Sequence, residues 1–288
     1  MPVILISDFY NLFKKQGLSN EVIETFRKII YAYYKQYGRE FPFRSNISDY
    51  NVLVSEIMLQ QTQTGAVSNK FLQFTLKFPS FLDLARAPLE EVLKVWKGLG
   101  YNRRAIALKK ISEIIIRDYK GKLPNSIEIL KSFPQIGHNT ASSIVAFAFN
   151  KPTVFIETNI RRVYIYFFYL DKVKVKDTEI LSLVEKTLDK NNPREWYYAL
   201  MDYGVMLKKS HPELNKKSIH YKKQKPFKGS SREIRGKILD ILLEYPDLTE
   251  NEIIERLNTE PERIIKIIQQ LTKEGFIKKY KTRYRITR

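Results

Sequence analysis

No cysteine occurs among the 288 residues. That absence removes disulfides, iron–sulfur clusters, thiolate zinc sites and cysteine nucleophiles together. Histidine is nearly as scarce: His138, His211 and His220 stand apart in the chain, so no histidine-rich metal site is expected. Chemistry must then rest on carboxylates, hydroxyls, amides or lysines. Long apolar runs are missing too. The greasiest stretches, residues 144–149 and 164–170, are core-helix length and fall short of the ~18 residues a membrane span needs. Residues 1–8 lack a basic n-region and reach Asp8 early, which argues against a secretory signal. Acidic charge is the last shortage, with 31 Asp+Glu against 50 Lys+Arg and a net charge of +19. Such a surplus calls for a polyanionic partner, either nucleic acid or an anionic membrane surface. At 43% hydrophobic and 28% charged the chain is ordinary for a folded protein. It reads as a soluble, cytoplasmic and nucleoid-associated protein of about two domains.

Helical periodicity dominates what is there. Residues 20–37 carry Val22, Phe26, Ile29, Ile30 and Tyr33 at three- and four-residue spacing, and the run at 42–46 breaks the pattern. Further helices are predicted over 50–63, 71–78, 88–95, 103–119, 126–133, 139–149, 159–170, 178–188 and 194–207. Strand alternation is nearly absent from this body, so the class is mainly α. A polar stretch, 208–235, follows and holds ten Lys and Arg against Glu213 and Glu233. Pro226 and Gly229-Ser230-Ser231 mark it as a linker, read equally as a solvated tether or a phosphate-tracking strip.

Residues 232–288 read as a separate small domain. Ile234, Ile238, Ile241 and Leu242 make one amphipathic helix, and capping boxes at 249–252 and 259–262 open two more. Two short strands are expected at 276–280 and 284–287. Three helices plus a basic hairpin resemble a winged helix-turn-helix, a fold that fits the DNA major groove or serves as a protein-docking module. Lys266, Lys273, Lys278, Lys279, Lys281, Arg283 and Arg285 favour DNA.

The turn Pro134-Gln135-Ile136-Gly137-His138-Asn139-Thr140-Ala141 joins two apolar helices. A turn of this kind aims backbone N–H groups at a phosphate, since the next helix begins with unpaired donors and the positive end of its dipole. Glu56 stands out for a different reason, being a carboxylate in unusually apolar surroundings.

Six ordered strings resemble the helix-hairpin-helix DNA glycosylases, the superfamily of adenine-DNA glycosylase (MutY) and endonuclease III. They are Pro42-Phe43-Arg44, Ser55-Glu56-Ile57-Met58-Leu59-Gln60-Gln61-Thr62-Gln63, Gly98-Leu99-Gly100-Tyr101, the hairpin 134–141, Glu157-Thr158-Asn159-Ile160-Arg161-Arg162-Val163 and Ala199-Leu200-Met201-Asp202-Tyr203-Gly204. They span roughly residues 40–207, and the string at 56–63 is a signature of the adenine-glycosylase branch. The resemblance implies Glu56 as the general acid that protonates the departing base. It implies a second carboxylate, at Glu157 beside Asn159, that offsets oxocarbenium charge or orients water. Gln60 and Gln61 would fill the gap left by a flipped base, with Gln60 one helical turn from Glu56. Tyr101 would be a wedge near the opposing base. Ile136, Gly137, Asn139, Thr140 and Arg161 would complete the DNA-binding set. The pocket this requires must bring Glu56 and Glu157 together.

Four departures accompany the likeness. Glu157 replaces the family's Asp; one methylene moves the carboxylate by about 1.5 Å, enough to cost ~100-fold where geometry is fixed. The pocket is remodelled around it, or it acts on a more distant water, or the enzyme is weakened or inactive. Asn139 stands where the lyase branch has its Schiff-base lysine, so a monofunctional hydrolase is expected. Gln135 replaces the hairpin glycine. The four cysteines of the relatives' iron cluster, expected just after 199–204, are missing, so no metal and no cofactor is predicted.

The expectation is therefore a two-lobed glycosylase region at 1–225, with a barrel lobe near 46–150 and a second lobe of 1–45 plus 151–225, followed by linker and winged helix at 226–288. The protein would be a monomer that excises a mispaired or damaged base, adenine first, from double-stranded DNA. An abasic-site lyase using another lysine and a non-catalytic DNA-binding protein are the rival readings.

Overall fold

The structure is a computed structural model describing residues 6–223 and 226–287. The leader reading at residues 1–5, the expected boundary at 225/226 with Lys225, and Arg288 lie outside the described residues. In chain order the helices begin with α1 (Ile6–Gln16), α2 (Asn20–Tyr37), α3 (Pro42–Ser45), α4 (Asp49–Leu59) and α5 (Thr64–Lys77). Next come α6 (Phe81–Arg86), α7 (Leu89–Trp96), α8 (Arg103–Tyr119), α9 (Ile127–Lys131) and α10 (His138–Phe149). α11 (Thr158–Phe168), α12 (Asp177–Thr187) and α13 (Pro193–Ser210) precede a 3-10 turn at Leu214–Lys217. The last part holds α14 (Ser231–Glu244), β1 (Leu248–Thr249), α15 (Glu250–Glu255), α16 (Pro261–Lys273), β2 (Ile277–Tyr280) and β3 (Arg283–Ile286). Among the described residues no helix is long and apolar enough to cross a membrane.

The chain forms two compact units. One comprises Met1–Ser48, Asn125–Ser132 and Ile136–Lys223; the other comprises Asp49–Pro124, Phe133–Gln135 and Gln224–Arg288. The division differs from the lobes drawn on sequence, because α10 sits with the first unit. The reason is local: Arg194 on α13 donates from Nε to Phe147 O (2.6 Å) and from Nη2 to Ala148 O (3.2 Å), satisfying the open carbonyls at the end of α10.

The first unit is built on an aromatic core. Ser19 caps α2, its Oγ accepting from Val22 N at 3.3 Å, and the helix buries Val22, Phe26 and Ile30 on one face. Phe26 meets Phe9, Tyr164, Phe167, Phe168 and Trp196 with ring centroids 5.0–6.1 Å apart, mostly edge-on as the ring quadrupoles favour. α13 runs to Ser210, and residues 211–219, expected as the start of a linker, fold back instead. Leu214 is buried, Val175 N donates to Lys217 O at 2.8 Å and Lys217 Nζ to Leu170 O at 2.6 Å.

In the second unit α4 is buried along nearly its whole length, and it ends at Leu59. The predicted helix over 50–63 is therefore too long: Gln60–Gln63 form a turn, with Gln61 at φ +56°. α8 packs Leu108, Ile111 and Ile115 inward and closes at Lys120 in a left-handed conformation.

The C-terminal part of this unit is the three-helix, three-stranded winged helix, with sheet order β1-β3-β2 and all pairs antiparallel. Ile277 faces Ile286 and Tyr280 faces Arg283 across the wing. Thr249 and Glu252 form the predicted capping box. The box expected at 259–262 does not form. Glu260 is the N-cap there without a side-chain bond, and Pro261 takes the first helical position, where its missing N–H costs nothing.

Candidate functional site

Glu157 ends an extended segment and caps α11. Its Oε1 accepts from Asn159 N and Ile160 N, both at 2.8 Å, and its Oε2 accepts from Asn159 Nδ2 at 3.3 Å. The carboxylate thus satisfies two of the helix's open donors and faces the positive end of its dipole. The residue keeps some surface exposure, yet protein surrounds the carboxyl closely. Burial pushes its pKa above the usual carboxylate range, against the two backbone N–H groups and the guanidinium charges of Arg162 and Arg161.

Asn159 is fixed from both ends, because its Oδ1 accepts from Arg162 Nη1 at 2.8 Å. The same Nη1 donates to Gly204 O at 2.6 Å, so buried Arg162 ties α11 to α13. Gly204 has to be glycine. A Cβ there would lie 2.4 Å from Asn159 O and 2.7 Å from Asn159 Cβ. The two neighbouring arginines therefore differ in kind. Arg161, expected at DNA, forms a bidentate pair with Asp177 at 2.8 and 2.7 Å, while Arg162 is internal.

Two of the sequence strings meet at Asp202. Its carboxylate accepts from Arg39 (Nε 2.8 Å, Nη2 2.6 Å) and from Arg44 (Nη1 2.9 Å, Nη2 3.0 Å). This cluster is internal scaffolding that composition did not reveal. Its signal was a charged residue in each of two otherwise apolar strings.

The hairpin between α9 and α10 splits its roles. Ile136 is 5% exposed, so its side chain is core and only its backbone is available to a ligand. Gly137 is the N-cap of α10 and supplies no side-chain bond. Asn139 is exposed with its Oδ1 3.5 Å from Ile156 N; Thr140 is half-buried. Gln135, where the resemblance has glycine, adopts φ +62°.

In the second unit Glu56 lies half-buried on α4 between buried Ser55 and Ile57. Gln60 donates from Nε2 to Gln135 O at 3.1 Å. Gln60, Gln61, Tyr101 and Gln135 line one cleft of about 950 Å³. Gln61, Tyr101 (φ +47°) and Gln135 are all left-handed without being glycine, a conformation that costs of order 1 kcal/mol each and concentrates at functional sites. What holds the first two is Arg104, which sequence reading passed over. Its guanidinium donates to the carbonyls of Ile57, Met58 and Gln60 (3.2, 2.7 and 2.6 Å) and to those of Leu99 and Gly100 (both 3.0 Å). One buried cation thus closes the end of α4 and fixes the 98–101 loop. Burial lowers its pKa to about 10, which leaves it charged at neutral pH.

Glu157 and Asn159 stand together in the first unit, as do Gln60, Gln61 and Tyr101 in the second, which also carries Glu56. The stretch after Gly204 has no cysteine, so the donor set does not fit a thiolate-held iron cluster. Asn215 Nδ2 on Thr158 O (3.3 Å) and the Val175–Ser218 bridge fasten it.

A helical hairpin followed by a carboxylate-capped helix, with a winged helix downstream, defines the class by its fold, helix-hairpin-helix. Residues 54–187 match the family described as HhH-GPD superfamily base excision DNA repair protein, and residues 231–278 match winged helix-turn-helix DNA-binding. The chain belongs to the HhH-GPD superfamily of DNA glycosylases and carries a C-terminal winged helix.

It is similar to the adenine DNA glycosylase of Buchnera aphidicola subsp. Baizongia pistaciae (strain Bp), at 33% identity over 66% of this chain and 55% of that one. The thymine/uracil-DNA glycosylase of Methanothermobacter thermautotrophicus is 26% identical over 66% of this chain and 87% of its own length. The solved structure of a thermostable thymine-DNA glycosylase superposes with a TM-score of 0.57 at 26% identity, covering 65% of this chain and 88% of that one. The chain spans about half the length of the Buchnera adenine DNA glycosylases it matches.

Proposed function

We propose that this protein is a monofunctional DNA N-glycosylase that hydrolyses the bond between a flipped, mispaired base and its sugar, adenine being the first candidate. The observation that carries the reading is the Glu157 carboxylate, held at the start of α11 by two backbone N–H groups and the Asn159 amide. A carboxylate so anchored does not collapse onto a developing cation. It stands at a fixed position where oxocarbenium charge is stabilised without reorganisation.

Glu56 is the second partner of the chemistry. A half-buried acid on a rigid helix delivers a proton to the leaving base and makes it a better leaving group. Glu157 then does the work of the shorter family Asp, its cap geometry absorbing the extra methylene. Asn139, an amide, forms no imine, so strand cleavage by β-elimination is not part of the scheme. Gln60 and Gln61 occupy the stack vacated by the flipped nucleotide, and lysines of the wing hold the flanking duplex.

A second reading concerns the base. The thymine/uracil glycosylase relative is matched over 87% of its length, which favours T:G and U:G as substrates beside A:8-oxoguanine and A:G. Glycosylase assays on these four duplexes, with alkali to cut abasic sites, decide between them. Release of adenine alone supports the first reading, release of pyrimidine the second, and no product from any duplex refutes both. Borohydride trapping of a covalent DNA adduct would refute the monofunctional assignment.

A further inference from the structure

The part from α14 to β3 has a core of its own, in which α14, α16 and the sheet bury Ile238, Ile264, Ile268 and Phe276. The bonds that cross from it to α7, α8 and the loop between them are polar. Glu274, beyond α16, accepts from Arg103 at the start of α8 (2.9 Å to Oε2, 2.5 Å to Oε1) and from Arg235 of α14 (3.2 and 2.6 Å). Lys97 Nζ lies 3.7 Å from Asp240 Oδ1. Arg232 of α14 donates to the Tyr101 hydroxyl, with its guanidinium 5.2 Å from the ring centroid. Arg104 lies 5.4 Å from the same centroid. Around these bridges the two surfaces stand apart across the cleft of about 950 Å³. The winged helix is thus tethered at three points to the loop that carries Tyr101.

We propose that this docking is an autoinhibitory latch: the winged helix holds Tyr101 in the free protein, and a DNA backbone opens the latch by drawing Lys97, Arg103 and Arg232 onto its phosphates. The inference rests on the glycosylase reading, which puts Tyr101 at the DNA, and adds regulation to it. While Arg232 holds the Tyr101 hydroxyl and lies over its ring, neither is open to a second partner. Arg104 is built into the same scaffold as the loop and stays with it. The Arg232 contact comes instead from a part with its own core, so it is withdrawn whole when that part moves. The energies suit a switch. The side chains of Lys97 and Arg103 are 57% and 60% exposed, and exposed pairs of this kind bias an equilibrium only a few-fold each. The described lining of the cleft carries six basic and two acidic side chains, so the joint is net positive. A duplex presents far denser negative charge than Glu274 and Asp240, and each phosphate contact also releases counterions. Its approach therefore favours the open state, and in its absence the latch closes again.

The experiment uses the full chain, whose lack of cysteine makes introduced thiols unique. Dyes on Lys110→Cys of α8 and Asn251→Cys of α15, both exposed positions, report the separation of the two parts by energy transfer. Saturating duplex should lower the transfer, and so should Glu274→Gln in the free protein. Glu274→Gln and Asp240→Asn should each tighten duplex binding about threefold, the bias of one exposed pair. Exposed Glu255, outside the latch, is the control: Glu255→Gln makes the same change of charge and should leave binding unchanged. A short bismaleimide joining Lys97→Cys to Asp240→Cys should weaken binding at least about tenfold against the same chain with each thiol capped singly. Transfer that saturating duplex leaves unchanged overturns the proposal. So do unchanged or weaker binding in both latch variants, equal tightening by Glu255→Gln, and a bridged chain that binds as well as the capped one. The two readings fail separately. Transfer that falls on duplex with no base released refutes the glycosylase reading and leaves the latch standing; base release at constant transfer does the reverse.

Discussion

Arg104 satisfies five carbonyls, three of them buried, from two segments with one guanidinium. Replacement by Met preserves bulk but strands those acceptors away from water. We expect Arg104→Met to cost about 3–5 kcal/mol, read by denaturant unfolding, and Arg104→Lys to recover little, since three point-like donors cannot span the set. Glu157 carries the pH prediction. Its folded pKa is raised above 4.5 by burial, so the stability linked to its protonated form is full below the unfolded value and is lost as pH rises through the folded one. Thermal melts should show the stability of wild type relative to Glu157→Gln falling over that window. If the carboxylate acts ionised, the acidic limb of the rate profile lies above 4.5, and Glu157→Gln is inactive on both sides of it. Glu157→Asp keeps the helix cap and withdraws the charge by about 1.5 Å. Single-turnover rates for this variant separate capping from catalysis.

Elements carry the sequence signal unevenly. α2 and α8 are legible to the residue, because apolar spacing and length agree over four or more turns. α4 reads four residues too long. Nothing in Gln60-Gln61-Thr62-Gln63 breaks a helix locally, and the stop comes from Arg104, a tertiary partner more than forty residues away. Similarly, the short α3 and α6 are held by burial of Phe43 and Phe81 rather than by a periodic face. The candidate residues stand out by resemblance; what supports them, Arg162, Asp202 and Arg104, does not, since a buried guanidinium looks like any other basic residue in a chain with fifty. Gly204 shows how tightly the elements fit. Gly204→Ala pushes α13 off Asn159 O, and we expect a loss of about 1–3 kcal/mol in stability. Product formation should fall by roughly 100-fold, since Asn159 and Glu157 shift together. Unfolding curves and single-turnover rates would measure the two effects separately.

For the whole molecule, the charge of +19 sets how it would meet the DNA proposed as its partner. Exposed Lys279, Lys281 and Arg283 on the wing are placed for phosphates. Alanine at Lys279 and Lys281 should weaken binding similarly across sequences and flatten the dependence of log affinity on log salt by about one for each phosphate left unneutralised, as titrations at several ionic strengths would show. The segment 211–219 bears on the cell that makes the protein. Peptide hydrogen bonds and a buried leucine close it, and without cysteine it offers oxidants no thiol to attack. Maturation should proceed unaided in iron-starved cells, and peroxide or a chelator should leave its melting temperature where it was.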